Sequence, residues 1–402
     1  MARPRARNLP VILAGLLLAG GCSAPVAAQN RSAAAHAVAP AGLPAPAAPA
    51  PAPIAPAPPA LRAVAVVAPP PAPVSRLWPF KHIYNADFVD VRAIAERYDL
   101  KASWVASGRI MQLADAHGRV RLRFENRDRD FYCDGIRVFM GETTVFNQGS
   151  LYVSKIDVIK TIVPLLRPAE YASQLPAPPR RIVLDAGHGG NDPGKQNFVL
   201  HLDEKSLTLD VVLRLKKLLE GRGYQVLLTR SDDRKIELDN RPAVANETKA
   251  DLFISVHFNS AEATVTGTET WVLTPQLQIS TQPEQDKAMV RAVYPGNHQD
   301  FANVLLGYQL HRAMLAGLKT ADRGLKHYRY AVLRGAECPA VLIEAAFLSN
   351  HTEALRIATP EYRQQIAAAL ADGIDDYSAV LAALHPAPAE TRPAPAASHQ
   401  HP

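Results

Sequence analysis

The sequence predicts an α/β protein: an open twisted sheet with helices on both faces, preceded by a small α+β domain and a Pro/Ala-rich linker. Three observations lead there. From Arg180 to about Leu384, short β-branched apolar runs alternate with longer amphipathic stretches, the order that builds a helix-covered sheet. Between residues 77 and 176, one amphipathic stretch sits among runs with the two-residue period of strands. From about Asn30 to Val74 the chain is mostly Ala and Pro, as in APAGLPAPAAPAPAPIAPAPPA.

Taken in order, residues 1–22 read as a targeting segment. Arg3, Arg5 and Arg7 form a positive start, and Pro10 to Gly20 form an apolar run too short to span a bilayer. Leu18-Ala19-Gly20-Gly21-Cys22 resembles a bacterial lipobox, in which Cys22 is lipidated and becomes the new terminus. Ser23 after it resembles lipoproteins sent to the outer membrane. Cleavage near Ala27-Ala28 is the alternative, leaving a soluble periplasmic protein. The three arginines also carry half of the net charge of +6, so the remainder is only mildly basic. No basic run or aromatic-basic interleaving points to nucleic acid.

Residues 23–76 form the linker. Proline lacks the N–H a helix needs, so this stretch reads as an extended, semi-rigid spacer. Residues 77–176 follow as an accessory domain: DVRAIAERYDL as a short helix, VRLRFEN as a half-buried strand, then strands, a tight turn and a closing helix over IRVFMGETTVFNQGSLYVSKIDVIKTIVPLL. Arg121 and Arg123 define one strand face, either solvated or facing an anionic polymer. The run LYVSKIDVIKTIVPLL resembles the small domain first described at the amino terminus of copper amine oxidases, and no histidine cluster there could bind metal.

Residues 179–384 are expected to form the catalytic domain. RRIVLDAG is a buried-type strand. SLTLDVVLRLKKLLEGRG places Leu207, Val211, Leu215 and Leu218 on one helical stripe and stops at Gly221 and Gly223. YQVLLTR, DLFISVHF, GTETWVL, YAVLR and PAVLIEAAF read as strands; RPAVANETKA and FANVLLGYQLHRAMLAGL read as helices, and Pro360 opens a last one. Residues 385–402 repeat the Pro/Ala pattern as a tail. Of the three cysteines, Cys22, Cys133 and Cys338, no two are spaced as a C-x-x-C pair, so a thiolate metal site is not expected.

Four polar residues stand where an open sheet binds ligands, at the carboxyl ends of strands. His188 follows the first strand in a glycine-rich turn, Glu204 opens the next helix, and His257 and Glu344 close two more strands. Two imidazoles and one carboxylate suit Zn²⁺, one ion per domain, with the fourth position left for water. A second, unligated carboxylate can take the water's proton and hand it to a leaving amine. His188, Glu204 and His257 are therefore the expected metal ligands and Glu344 the general acid/base. Singly, each has a plainer reading: a satisfied buried histidine, a helix N-terminal carboxylate, half of an ion pair.

The segments LDAGHGGNDPG, Glu204-Lys205, LLTRSDDRKIELDNRPAVAN, ADLFISVHFNS, GTETWVL, RGLKHYRYAVLR and PAVLIEAAFLSN occur in one order and spacing across 181–380. In these the chain resembles the zinc-dependent N-acetylmuramoyl-L-alanine amidases of the type 3 class. The resemblance implies that zinc-activated water cleaves the amide between N-acetylmuramic acid and L-alanine of peptidoglycan. It carries zinc binding over to His188, Glu204 and His257 and catalysis to Glu344. It also suggests Asn259 as a substrate contact or a support behind the site, and Arg241 as structural. Ala346 stands where the family has glycine. The polar stretch 275–300 is a candidate cover for the cleft on which an activator protein could act. Two rival functions stay open: a zinc peptidase cutting another stem bond, and a non-catalytic peptidoglycan-binding lipoprotein.

Overall fold

The computed structural model describes residues 77–282 and 288–386. The expected signal segment, Cys22, the linker and the carboxyl tail lie outside the described residues. Among those described, no helix is long and apolar enough to cross a membrane.

Nine strands come first: β1 (Lys81–Ile83), β2 (Ala86–Asp90), β3 (Lys101–Ala106), β4 (Ile110–Ala114), β5 (Val120–Glu125), β6 (Asp130–Cys133), β7 (Ile136–Phe139), β8 (Val145–Asn147) and β9 (Ser150–Ser154). Eight follow: β10 (Arg181–Ala186), β11 (Gln196–Asn197), β12 (Leu202–Asp203), β13 (Gln225–Leu228), β14 (Leu252–Asn259), β15 (Thr268–Val272), β16 (Asp322–His327) and β17 (Ala340–Phe347). A small sheet has the order β1-β2-β9-β8, and β11 and β12 make a two-stranded ribbon. The remaining eleven strands form one sheet, β13-β10-β14-β17-β15-β16-β7-β6-β5-β4-β3. β13, β10, β14 and β17 run parallel, and β15 turns antiparallel to β17.

Alternation along β10 builds two cores. Ile182 and Leu184 pack with the helices Glu204–Gly221, Asp300–Leu318 and Pro360–Leu384. Val183 packs on the other face with Phe253, Trp271, Leu342 and Leu333. This is the two-residue period of a sheet buried on both faces. Thr359 accepts the Tyr362 N–H ahead of Pro360, so the last helix starts with a side-chain cap and a proline whose missing N–H costs nothing there. Ala346 is fully buried on β17.

The strands expected for the accessory domain do not end at the 176–179 junction. β7 pairs with β16 through Val138 and Leu325, so the two halves share one sheet. The Arg137 N–H donates to Asp322 Oδ2 at 2.9 Å, and Tyr308 Oη donates to the Cys133 carbonyl at 3.0 Å. Tyr171 and Phe301 meet with ring centres 4.2 Å apart and planes tilted by 30°. Gln278 donates to the buried Asp157 carboxylate, and Arg129 reaches the Ser280 carbonyl at 3.1 Å.

Two element assignments differ from the sequence expectation. YAVLR forms no strand: Ala331–Arg334 is a single helical turn, with Val332 and Leu333 buried under the sheet. The neighbouring strand is β16, whose DRGLKH sequence has no β-branched residue to advertise it. His257 and Glu344 also lie inside their strands rather than at their last residue, directly paired across β14 and β17. The register shifts between His257 and Asn259, a local irregularity next to the site.

Candidate metal centre

His188 leaves β10 with φ of 62°, a left-handed conformation that a non-glycine residue adopts at a cost. Two buried arginines hold the turn in place. Arg241 donates to the His188 carbonyl at 2.8 Å and to the Ala186 carbonyl at 2.8 Å, and it pairs with Asp185 at 2.9 Å. Arg230 donates to the Gly187 carbonyl at 2.8 Å. The structural part expected of Arg241 is visible in these contacts.

The turn must approach the site closely. A Cβ on Gly187 would stand 2.3 Å from the His257 ring, and one on Gly194 would stand 2.6 Å from both Glu204 Oε2 and the His188 ring. Only glycine leaves room for the side chains gathered here.

The structure brings His188, Glu204 and His257 together, with one donor atom from each lying within 4.8 Å of the others. Glu204 Oε1 lies 3.1 Å from His188 Nε2 and 3.0 Å from His257 Nδ1. The Phe258 N–H donates to Glu204 Oε1 at 3.0 Å, and the Lys195 N–H donates to Oε2 at 2.8 Å. Burial of Glu204 opposes its charge, but the contacts from His188 and His257 hold it far below the usual carboxylate range.

His188 Nδ1 lies 2.9 Å from Asp192 Oδ2. Asp192 is held below the ordinary range because His188 and the Gly194 N–H outweigh its slight burial. Asp192, as an ionised carboxylate, only accepts; in a neutral His188 ring bound to a metal, Nδ1 would therefore carry the proton and Nε2 would be the nitrogen free to ligate. Two ring nitrogens and a carboxylate oxygen gathered this closely can share one positive charge. This donor set fits a divalent zinc ion.

Glu344 closes the far side of a cleft of about 430 Å³, which is also lined by the three residues above, Lys195, Leu238, Asn259, Tyr330 and Leu342. Its Oε2 is buried without a hydrogen-bond partner. Burial first, then the charges of Glu204 and Glu269, push this carboxyl well above its ordinary value, against the pull of Lys326.

Asn259 lines the cleft, donates to Glu269 Oε2 at 2.9 Å, and accepts from the Ser260 N–H at 2.7 Å. Glu269 sits opposite Glu344 in the β15–β17 register and takes Lys326 at 2.7 Å and Arg323 at 2.8 Å. Sequence reasoning missed Glu269, Lys326, Asp192 and Lys195. A glutamate set among β-branched and aromatic residues in GTETWVL was the available signal for the first. The 275–300 stretch contributes no lining residue to the cleft among its described part. Instead Arg329 ties it down through the Pro275 and Gln278 carbonyls at 2.9 and 3.0 Å.

A family described as N-acetylmuramoyl-L-alanine amidase matches residues 182–376. The sporulation-specific N-acetylmuramoyl-L-alanine amidase of Bacillus subtilis (strain 168) is 31% identical over 197 residues, covering 48% of this chain and 67% of that protein. The uncharacterized protein YqiI of the same organism is 30% identical over 217 residues, covering 54% of this chain and 91% of that one. Among solved structures, the N-acetylmuramoyl-L-alanine amidase from Clostridium difficile 630 is 28% identical with a TM-score of 0.41, covering 50% of this chain and 97% of that one.

Proposed function

The chain belongs to the N-acetylmuramoyl-L-alanine amidase family, a family of peptidoglycan hydrolases, and from that premise we propose how its own residues cleave the muramoyl–L-alanine amide. His188, Glu204 and His257 hold one zinc ion, and Glu344 moves the protons. The single observation that carries this reading is a buried carboxyl, Glu344, with one oxygen unpartnered beside a converging His/Glu/His set. Zinc in such a site supplies Lewis acidity, polarising a carbonyl and making water more acidic.

The chain's residues do the rest. Asp192 fixes the His188 tautomer, and Arg241 and Arg230 fix the turn that presents it. Glu344 Oε2 accepts the proton of the attacking water as the new C–O bond forms. It then gives that proton to the alanine nitrogen as the C–N bond breaks, so the leaving amine departs neutral. Asn259, both ends of its carboxamide engaged, supports the wall of the cleft rather than spending those bonds on substrate.

Digestion of purified peptidoglycan tests the reading. Free N-acetylmuramic acid lactyl carboxylates and new L-alanine amino termini are the expected products, and chelation should abolish them. Cleavage elsewhere in the stem would favour the zinc peptidase, and no cleavage by metal-loaded protein would favour the binding lipoprotein.

Export and a lipid anchor at Cys22 complete the proposal, with the Pro/Ala spacer carrying the enzyme from the membrane to the wall. Cys22→Ser should release an active, soluble enzyme; native protein found soluble with its terminus near Gln29 would remove the anchor from the reading. An activator acting on 275–300 would have to work from outside the cleft, since the described part of that stretch lines none of it.

A further inference from the structure

We infer that Lys195 is a specificity-determining residue that binds a free carboxylate on the stem peptide, on the residue that follows the alanine. This rests on the amidase reading above. Lys195 is the one lysine or arginine among the described residues that line the cleft. Its backbone is pinned on both sides by the proposed ligand Glu204: the Lys195 N–H donates to Glu204 Oε2 at 2.8 Å, and its carbonyl accepts the Glu204 N–H at 2.9 Å. The side chain therefore springs from a fixed point on the cleft wall.

Its ammonium has no hydrogen-bond or ion-pair partner among the described residues. The nearby carboxylates are already engaged. Glu204 faces the two imidazoles, Asp192 takes His188 and the Gly194 N–H, and Asp203 takes Gln196 at 2.8 Å. Elsewhere around the cleft, cations are paired: Lys205 with Asp233 at 2.7 Å, and Lys326 and Arg323 with Glu269. Lys195 is half-buried as a residue; its ammonium offers three donors and no acceptor, and it gains most from an anionic partner.

The substrate brings such a partner. Chemistry at the alanine nitrogen sets the following residue within one peptide unit of the metal ligands, and Lys195 lies nine positions before one of them with its backbone bonded to it. Stem peptides differ in whether the carboxylate after alanine is free or capped as a primary amide. Lys195 reads that difference: the carboxylate gains a charge-assisted hydrogen bond, while the amide's neutral oxygen gains a weaker one.

The test uses the full chain, zinc-loaded, with two muramoyl-L-alanyl-glutamate compounds that differ only in a free or amidated carboxylate on the second residue. For the unaltered enzyme, the amide should raise KM by about tenfold, the low end of a hydrogen bond to a charged group. Lys195→Met should bring the two KM values together, and Lys195→Arg should restore most of the preference. Calorimetry with the released dipeptide in its two forms reads the same contact without turnover. Equal KM values for the unaltered enzyme, or a preference that survives Lys195→Met, overturn the inference. Failure to cleave either compound, or peptidoglycan itself, overturns the amidase reading beneath it instead.

Discussion

The two halves of the long sheet handle charge in opposite ways. Around β5, arginines meet carboxylates: Arg109 and Arg123 face Glu125, while Arg121 and Arg119 share Asp134. These pairs are partly exposed and close on themselves, which favours a solvated strand face over a docking site for an anionic polymer. Around β17, Glu204, Glu269 and Glu344 crowd one region, and of the three only Glu269 pairs with a lysine or arginine among the described residues. Around β5 the named carboxylates have their cations. The other half leaves a buried oxygen and an ammonium without partners, and an enzyme does its work with groups of that kind.

The contrast is broken most sharply at Glu344. Glu344→Gln keeps the shape but cannot accept a proton, so the rate should fall by about 10²–10⁴-fold while about one zinc per chain is retained. Metal analysis beside the rate decides it: lost zinc would make Glu344 a ligand and Glu204 the better proton acceptor.

The seam between the two halves carries a pH dependence. Burial, chiefly, lowers His327 on β16 from its ordinary 6.5 to about 4. Between those values the unfolded chain binds the proton and the folded one does not, so stability rises with pH across that window. Acidification from neutrality to about pH 4 should therefore cost on the order of 3 kcal/mol from this group. Urea midpoints for the unaltered chain and His327→Gln should converge in their pH slope only if His327 is not the cause.

A smaller effect is expected at Asp192, which touches His188 and not the substrate. Asp192→Asn should weaken zinc by about 10–100-fold in competition with a chelating dye. Smallest of all is Arg109→Gln in the paired half: with most of the Arg109 side chain exposed, the change should stay within about 0.5 kcal/mol and leave zinc affinity alone. A larger loss there would erase the distinction between the two halves.

Much of the parallel half was legible because its signals are local. The Leu207, Val211, Leu215 and Leu218 stripe marks a helix from its own sequence; the first three are buried, while Leu218 is only partly buried and its neighbour Leu219 takes the core position. His188, Glu204, His257 and Glu344 could be gathered from sequence because parallel strands send their carboxyl ends to one edge. What stayed hidden depends on partners far away in the chain. β16 has weak strand propensity and owes its place to neighbours on both sides. YAVLR has the apolar content of a strand, but as a single turn it buries Val332 and Leu333. Glu269 could not be tied to Glu344 until the antiparallel register set them opposite each other.

The β7–β16 seam also sets an order of events. Arg137 meets Asp322 across 185 residues of chain. Whenever the chain is delivered amino terminus first, β3–β7 therefore arrive long before the strand that completes the sheet. Until then β7 is an edge with open N–H and C=O groups, the kind of edge that recruits a stray strand. Closing so distant a contact pays its loop entropy late, which slows folding. The amino-terminal strands thus wait as an unfinished template, and the chain's exposure to misassembly is greatest before β16 arrives.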